Sequence, residues 1–412
     1  MRVLLTTRGS AGHVLPLAPL AHACIEAGHE VLVAAQSQHR ANVERARLPF
    51  APVSDPPREE WMPLMGSFAE LDLDRANALM IGEFFGAIDT RAALPGLLRI
   101  VETWQPDVIV RESWEFASTI AADLLGIPLA RVGLGLASVE EFSVEVAAAP
   151  VDAARVRAGL PADPSGERLT AAPYLTQMPE LVEAAAAPGP IVRRLRTTPP
   201  RAIAPLPDWW PGNDDPLVYV TFGSVTADAH LPYFPALYRA ALDALASLPA
   251  RVLVTIGNGS DPGRLGPLPR NCHVERWIPQ DAVVPHAAAI VCHGGYGSTL
   301  GALAHGVPLV VVPLFSIDQW ANADAVARVG AGVALTGERR TRRVLDLPGP
   351  ATLAELAPAV SRVLADSAYR SAAALVADAV RALPPVDAAV DLLAAVSRGD
   401  APPPGGQFAS AA

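Results

Sequence analysis

The chain has 412 residues, 51% hydrophobic and 18% charged, with 32 basic against 42 acidic side chains and a formal net charge of −10. That length exceeds one ordinary core, so two domains are expected, and the composition is that of a soluble globular protein. The acidic balance argues against duplex nucleic acid as a partner, because counterion release needs a concentrated basic face.

The cations of the chain are all arginine, with no lysine anywhere. This excludes Schiff-base and pyridoxal chemistry on lysine and a Walker-type phosphate loop. Cys24, Cys272 and Cys292 lie far apart in apolar contexts. They read as free core thiols of a reducing compartment, not as a disulfide framework or metal site. The first residues, MRVLLTTRGSAGH, hold too short an apolar run for a signal peptide. No stretch approaches the roughly 18 apolar residues of a spanning helix. A cytoplasmic protein without stable membrane association is therefore expected.

In chain order, Met1 to Thr7 predicts a buried strand, Leu15 to Ala27 a helix closed by Gly28, and Glu30 to Ala35 a second strand. The unit repeats with a strand at Asp107–Arg111, a helix from Phe116 to Gly126 and a strand around Leu129 to Gly133. Such alternation implies a parallel sheet covered by helices. Between these units, Pro52 to about Pro95 carries Trp61, Met62, Met65, Phe68, Met80, Phe84 and Phe85 without a clean strand pattern. It is expected to be an irregular insertion that could line an apolar cavity or form a satellite core.

Residues 197 to 216, TTPPRAIAPLPDWWPGNDDP, read as a stiff proline-rich linker. Beyond it the pattern restarts with a strand at Leu217–Phe222, a helix at Phe234–Leu248 and a strand at Ala250–Ile256. A strand at His286–Cys292, a helix and the run Pro308–Pro313 follow. The expected fold class is α/β, with two doubly wound Rossmann-like domains across a cleft. Residues 1–200 form the first domain, 201–216 the linker and 217–380 the second domain. Residues 381–398 are expected to be a helix returning to the first domain, and 399–412 a disordered tail. The arginines at 339, 340, 342 and 343 read as a solvated turn.

The turns at the strands' carboxyl ends hold the candidate chemistry. Arg8-Gly-Ser-Ala-Gly-His13 leaves the first strand, and Gly12 and Gly9 permit close approach. It puts His13 at a helix start, where histidine suits general-base work but is also commonly structural. The spacing is not GxGxxG, which disfavours a nicotinamide site. An acid behind His13 would set its tautomer, and Glu112, ending another strand of the same sheet, is the candidate against an exposed loop carboxylate.

In the second half, Gly223 and Ser224 close the first strand. The stretch HGGYGST, with His293, Gly295, Gly297, Ser298 and Thr299, is a strand–glycine turn–helix layout of the kind that holds a pyrophosphate. Upstream, Trp277, Ile278 and Gln280 could stack on and read a base, with a core tryptophan as the competing reading. Downstream, Asp318 and Gln319 suit sugar hydroxyls or a plain helix cap. Neither HExxH, CxxC nor GxSxG occurs, and Leu71-Asp-Leu-Asp74 reads as a solvated helix start, so no metal site is assigned.

Taken together, GSAGHVLPLAPLA, TFGS and the ordered WIPQ, HGGYGST and DQ resemble the inverting GT-B-fold glycosyltransferases that decorate bacterial natural products. The resemblance spans nearly the whole chain. It implies His13 as base, with Glu112 standing where the family has aspartate. It implies that Trp277, Ile278 and Gln280 hold the base, and that Gly12, Gly223, Ser224, His293, Gly295, Gly297, Ser298 and Thr299 lie around the diphosphate. Asp318 and Gln319 would hold the sugar, with no cofactor or metal beyond the nucleotide sugar. Ribose-using members often carry a glutamate shortly after Ser-Thr; here Gly301 stands there, which points to a dTDP-sugar. The acceptor, a flat apolar aglycone, would dock against Trp61, Met65, Phe84, Trp114 and Phe142. A GT-B-fold epimerase and a non-catalytic auxiliary protein are the rival readings, and a homodimer is left open.

Overall fold

Burial of Val3, Leu4, Leu5 and Thr6 on both faces makes β1 (Arg2–Thr6) the centre of a sheet, not its edge. Around it stand β2 (Glu30–Gln36), β3 (Phe50–Val53), β4 (Val108–Glu112), β5 (Leu129–Val132), β6 (Tyr174–Thr176) and β7 (Val192–Arg194). The order is β3-β2-β1-β4-β5-β6-β7, and every pair is parallel. A second parallel sheet comprises β8 (Leu217–Thr221), β9 (Arg251–Thr255), β10 (Cys272–Glu275), β11 (Ala289–Cys292), β12 (Leu309–Val311) and β13 (Gly332–Ala334). Its order is β10-β9-β8-β11-β12-β13. The computed structural model describes residues 1–197, 205–226, 231–337 and 342–400.

In each sheet the connections reverse direction beside the first strand: β1 lies between β2 and β4, and β8 between β9 and β11. A crevice opens at the strands' carboxyl ends at such a switch point. The chain enters the first crevice after β1 and β4 and the second after β8 and β11. These are the four turns that carry His13, Glu112, Gly223 and His293.

The segment from Pro52 to Pro95 departs from the expected irregular insertion, for it is almost wholly helical. Helices Arg58–Phe68 and Leu73–Ala78 lead into a π-helix, Leu79–Asp89, and then a helix, Thr90–Trp104. The buried positions of the π-helix are 81–82, 85–86 and 88–89, and the set 82, 85, 86 and 89 has the i, i+3, i+4, i+7 spacing of an ordinary helix face, so the spacing is helical although the winding is wider. Gly82 and Gly86 let the helix Ala137–Arg157 approach; a Cβ on Gly82 would lie 2.7 Å from the Val146 carbonyl oxygen.

The helix Ala388–Ser397 buries Val390, Leu392 and Leu393 in the core of the first sheet, beside Leu17, Leu20 and Val132. Of the linker, 205–216 is described, and Trp209 stacks on His273 at 4.8 Å. The expected tail, 399–412, lies outside the described residues apart from Gly399 and Asp400. Cys24, Cys272 and Cys292 are buried and unpaired. No described helix is long and apolar enough to cross a membrane.

Candidate active site

His13 sits in a single helical turn, Ala11–Val14, that follows β1 directly. Because β4 is the neighbour of β1, the last residue of β4 faces it, and His13 Nδ1 lies 2.8 Å from Glu112 Oε1. A carboxylate can only accept, so Nδ1 carries the hydrogen and Nε2 is left with its lone pair. Glu112 is 0% exposed and also accepts from the Arg8 N–H (3.2 Å) and the Trp114 N–H (2.6 Å). Burial pushes its carboxyl up, but His13 and these two amides outweigh burial and hold it below the usual carboxylate range. Beneath, buried Arg111 donates to the Glu112, Ser113 and Leu169 carbonyls at 2.9, 3.0 and 2.7 Å and so fixes the turn that presents Glu112.

Across the cleft, Gly223 (φ +83°) and Gly295 enclose the His293 ring. A Cβ on either would fall within 2.7 Å of that ring, so glycine is required at both positions. Burial pushes the His293 imidazole down to about 4 against the nearby Thr221 carbonyl, so it is neutral at pH 7. Its Nδ1 is enclosed with no hydrogen-bond partner among the described residues. Gly295 caps the helix Tyr296–Ala304, and Ser298 at its first turn accepts from Gln280 Nε2 at 2.8 Å, leaving its own O–H to donate. Ser224 and Gly297 are exposed beside them. Trp277 is 59% exposed, which removes the core-tryptophan reading and leaves an open indole face next to Gln280. Ile278 packs on the core below.

Two donor-side side chains are buried. Thr299 is 1% exposed, about 100° round the helix from Ser298. Gln319 is 3% exposed, and its Oε1 accepts from the Leu314 and Phe315 N–H groups (2.8 and 3.1 Å). That oxygen shapes the loop and is not available to a sugar. Asp318 does reach the cleft: burial pushes its carboxyl up, while the Ser316 hydroxyl and His13 opposite pull it down.

The acceptor-side residues form a run of rings. From His13 it passes to Trp114 (5.4 Å), from Phe85 to Trp114 (5.9 Å), and on through Phe84 (5.6 Å) to Trp61 (6.2 Å). Phe142 packs in the same cluster as Trp114. Met65 instead packs in a cluster between the two halves, with Trp320 and Val344. Sequence reasoning missed Arg8, Gln36 and Asp89. Arg8 Nε and Gln36 Nε2 both donate to Asp89 at 2.5 Å, and the guanidinium lies 3.4 Å from the Phe85 ring centroid. Their signal was position: Gln36 ends β2 and Arg8 follows β1, at the same sheet edge as His13. Of the expected arginine turn, 339 and 340 lie outside the described residues. Arg343 is exposed, as expected, and pairs with Glu70, whereas Arg342 is half-buried and donates to the Leu314 carbonyl.

Two parallel sheets with opposed switch points are the GT-B architecture, and comparison with known proteins attaches a glycosyltransferase class to it. Models of the erythromycin biosynthesis protein CIII-like N-terminal and C-terminal domains match residues 22–216 and 239–395, and the chain belongs to that family. It is 33% identical to the L-demethylnoviosyl transferase of Streptomyces niveus, over 93% of this chain and 98% of that one. The crystal structure of the glycosyltransferase SnogD from Streptomyces nogalater is similar at 28% identity and a TM-score of 0.72, covering 96% of this chain and 99% of that one. The Streptomyces sp. SF2575 glycosyltransferase SsfS6, solved with thymidine diphosphate, is similar at 25% identity and a TM-score of 0.70, over 96% and 99% of the two chains. The protein is thus a sugar-transferring enzyme of natural-product type.

Proposed function

We propose that the enzyme transfers a sugar from a dTDP-sugar to a hydroxyl of a flat, apolar aglycone with inversion, and that it does so without a metal. The observation that carries this reading is the His13–Glu112 pair at the head of the aromatic run, facing the donor turn. Nε2 of His13 takes the acceptor proton, and Glu112, already bonded to Nδ1–H, stabilises the imidazolium that forms. The acceptor oxygen attacks the anomeric carbon from the face opposite the diphosphate, so the configuration inverts. The diphosphate leaves onto the amides of the Gly295–Ser298 turn and the Ser298 and Ser224 hydroxyls, with the neutral His293 ring packed beneath the turn. Trp277 stacks on the thymine. Asp318 accepts hydrogen bonds from sugar hydroxyls.

Three observations support the donor assignment. Gly301 offers no carboxylate to a 2′-hydroxyl, its Cβ position faces Gln280 Oε1 at 3.7 Å, and the similar SsfS6 was solved with thymidine diphosphate. The epimerase reading has no use for the ring run, and the auxiliary reading none for a complete donor turn.

Thermal stability with dTDP, UDP, ADP and NAD tests the donor. A ligand at about 100 times its Kd adds roughly 2.7 kcal/mol, a shift that is easily read. Stabilisation by dTDP above UDP is expected; UDP preference would overturn the dTDP assignment and leave the class. Incubation with dTDP-sugars and a panel of polyketide aglycones, read by mass spectrometry and by the anomeric coupling of the product, tests transfer and inversion.

A further inference from the structure

Asn77 is next to last in the helix Leu73–Ala78 that leads into the π-helix of the first half, and its side chain is buried at 6% exposure. A buried primary amide among apolar neighbours is costly unless its donors and acceptor are engaged. Here they are engaged across the cleft seam. Nδ2 donates to its own helix at the Leu73 carbonyl (2.8 Å) and to the Phe315 carbonyl of the second half (3.1 Å). Oδ1 accepts from the Ile317 N–H at 3.0 Å. The amide thus clamps the backbone on either side of Ser316, two residues before Asp318.

The loop is gripped from its other side by Gln319, whose oxygen holds the Leu314 and Phe315 amides. Between those two carboxamides every residue from Leu314 to Ile317 has a backbone group fixed, the Ser316 carbonyl by the Gln319 N–H at 3.0 Å, and the Ser316 hydroxyl is on Asp318. The seam around Asn77 is built, not incidental. The Val344 N–H donates to the Leu71 carbonyl at 2.9 Å, and Phe68, Leu73 and Ala76 pack on Trp320 and Val344. Immediately after Asn77 come Phe84 and Phe85 of the acceptor run, on the π-helix.

We infer that Asn77 is a positioning residue for the donor sugar: by clamping the 314–317 backbone from the acceptor half, it sets where Asp318 meets the sugar. This rests on the assignment of Asp318 to the sugar made above. The nucleoside diphosphate is held by other turns, so the effect of losing Asn77 falls on the sugar alone.

The test compares wild type, Asn77→Ala and Arg343→Ala, the last removing a seam contact that does not touch residues 315–317. Calorimetric affinities are measured for dTDP and for the dTDP-sugar that wild type turns over fastest. Hydrogen exchange is followed at the 314–318 amides. Asn77→Ala should bind dTDP within about twofold of wild type, but bind the dTDP-sugar about tenfold more weakly, as expected for one or two lost hydrogen bonds. Its KM for the sugar donor should rise in step, and Ile317 should lose protection. Arg343→Ala should leave the ratio of the two affinities unchanged. Equal weakening of dTDP and dTDP-sugar, or unaltered protection at Ile317, would overturn the inference. A wild type that binds dTDP yet turns over no nucleotide sugar overturns the proposed function and this inference together, and is seen before any variant is compared.

Discussion

Glu112 accepts three N–H groups with two oxygens, and that arrangement decides what its amide analogue will do. In Glu112→Gln one oxygen becomes an NH2 group, which must point at a donor, so His13 loses either its orientation or its counter-charge. Turnover should fall by about 10²–10⁴, the scale of general-base assistance, with dTDP affinity unchanged; His13→Ala should behave the same way. Loss of dTDP binding in either would remove the pair from the acceptor side of the reaction. His293 carries a second expectation, for stability. Its imidazole titrates near 6.5 unfolded and about 4 folded, so the unfolded state binds the proton first as pH drops. Stability should therefore fall from pH 6.5 toward 4, by on the order of 1–2 kcal/mol for a ring that keeps some solvent access. Urea unfolding of His293→Asn across that range should show a flatter profile, and a slope equal to that of wild type would refute the assignment.

Elements differ in how openly the sequence announces them. The donor turn was legible because its meaning is local: β11 ends, Gly294 and Gly295 turn, and the helix Tyr296–Ala304 begins within a few residues. The pairing of His13 with Glu112 was legible too, since both close strands of one sheet. The burial of Thr299 and Gln319 was not legible, because residue type states what a side chain can donate, not which way its helix turns it. The helical character of residues 79–89 stood in the i, i+3, i+4, i+7 spacing of 82, 85, 86 and 89, but the π winding was not legible, since its reason lies in a helix some 60 residues away in sequence, Ala137–Arg157. That reason gives a prediction. A methyl group at Gly82 would meet the Val146 carbonyl at 2.7 Å, backbone against backbone, with no flexible side chain to yield. Gly82→Ala should cost about 1–3 kcal/mol, as overpacking does, measured by denaturant unfolding. A neutral result would mean that the two helices can part without loss.

At the scale of the molecule, the described residues join the two halves at three places. At one, the chain leaving the first sheet and the chain returning to it lie side by side: the Arg196 N–H donates to the Pro384 carbonyl (2.8 Å) and the Val386 N–H to the Arg196 carbonyl (2.9 Å). At the second, residues 68–77 meet 315–320 and Val344 across the seam. At the third, Leu136, Val139, Met178 and Val182 of the first half are buried in one cluster with Tyr219, Cys292 and Tyr296 of the second, and Arg328 donates to the Val182 carbonyl at 2.6 Å. Beyond the first crossing, the helix Ala388–Ser397 belongs to the first sheet although it ends the described chain, with Leu393 wholly buried there. Leu393→Ala should therefore weaken the first half by about 2–5 kcal/mol while leaving the dTDP site in the second half intact. Scanning calorimetry of that variant, with and without dTDP, separates two cases. If the joins are weaker than the cores, the unfolding peak splits, and dTDP raises only the later component. If the seam binds the halves into one cooperative unit, a single peak shifts down with the mutation and up with dTDP. The third join is itself a core: residues of the first half share one buried cluster with β8, β11 and β12 of the second, so the halves do not stand as two separate cores. The single peak is the expected result, and a split peak would show that this shared cluster parts at lower cost than either sheet.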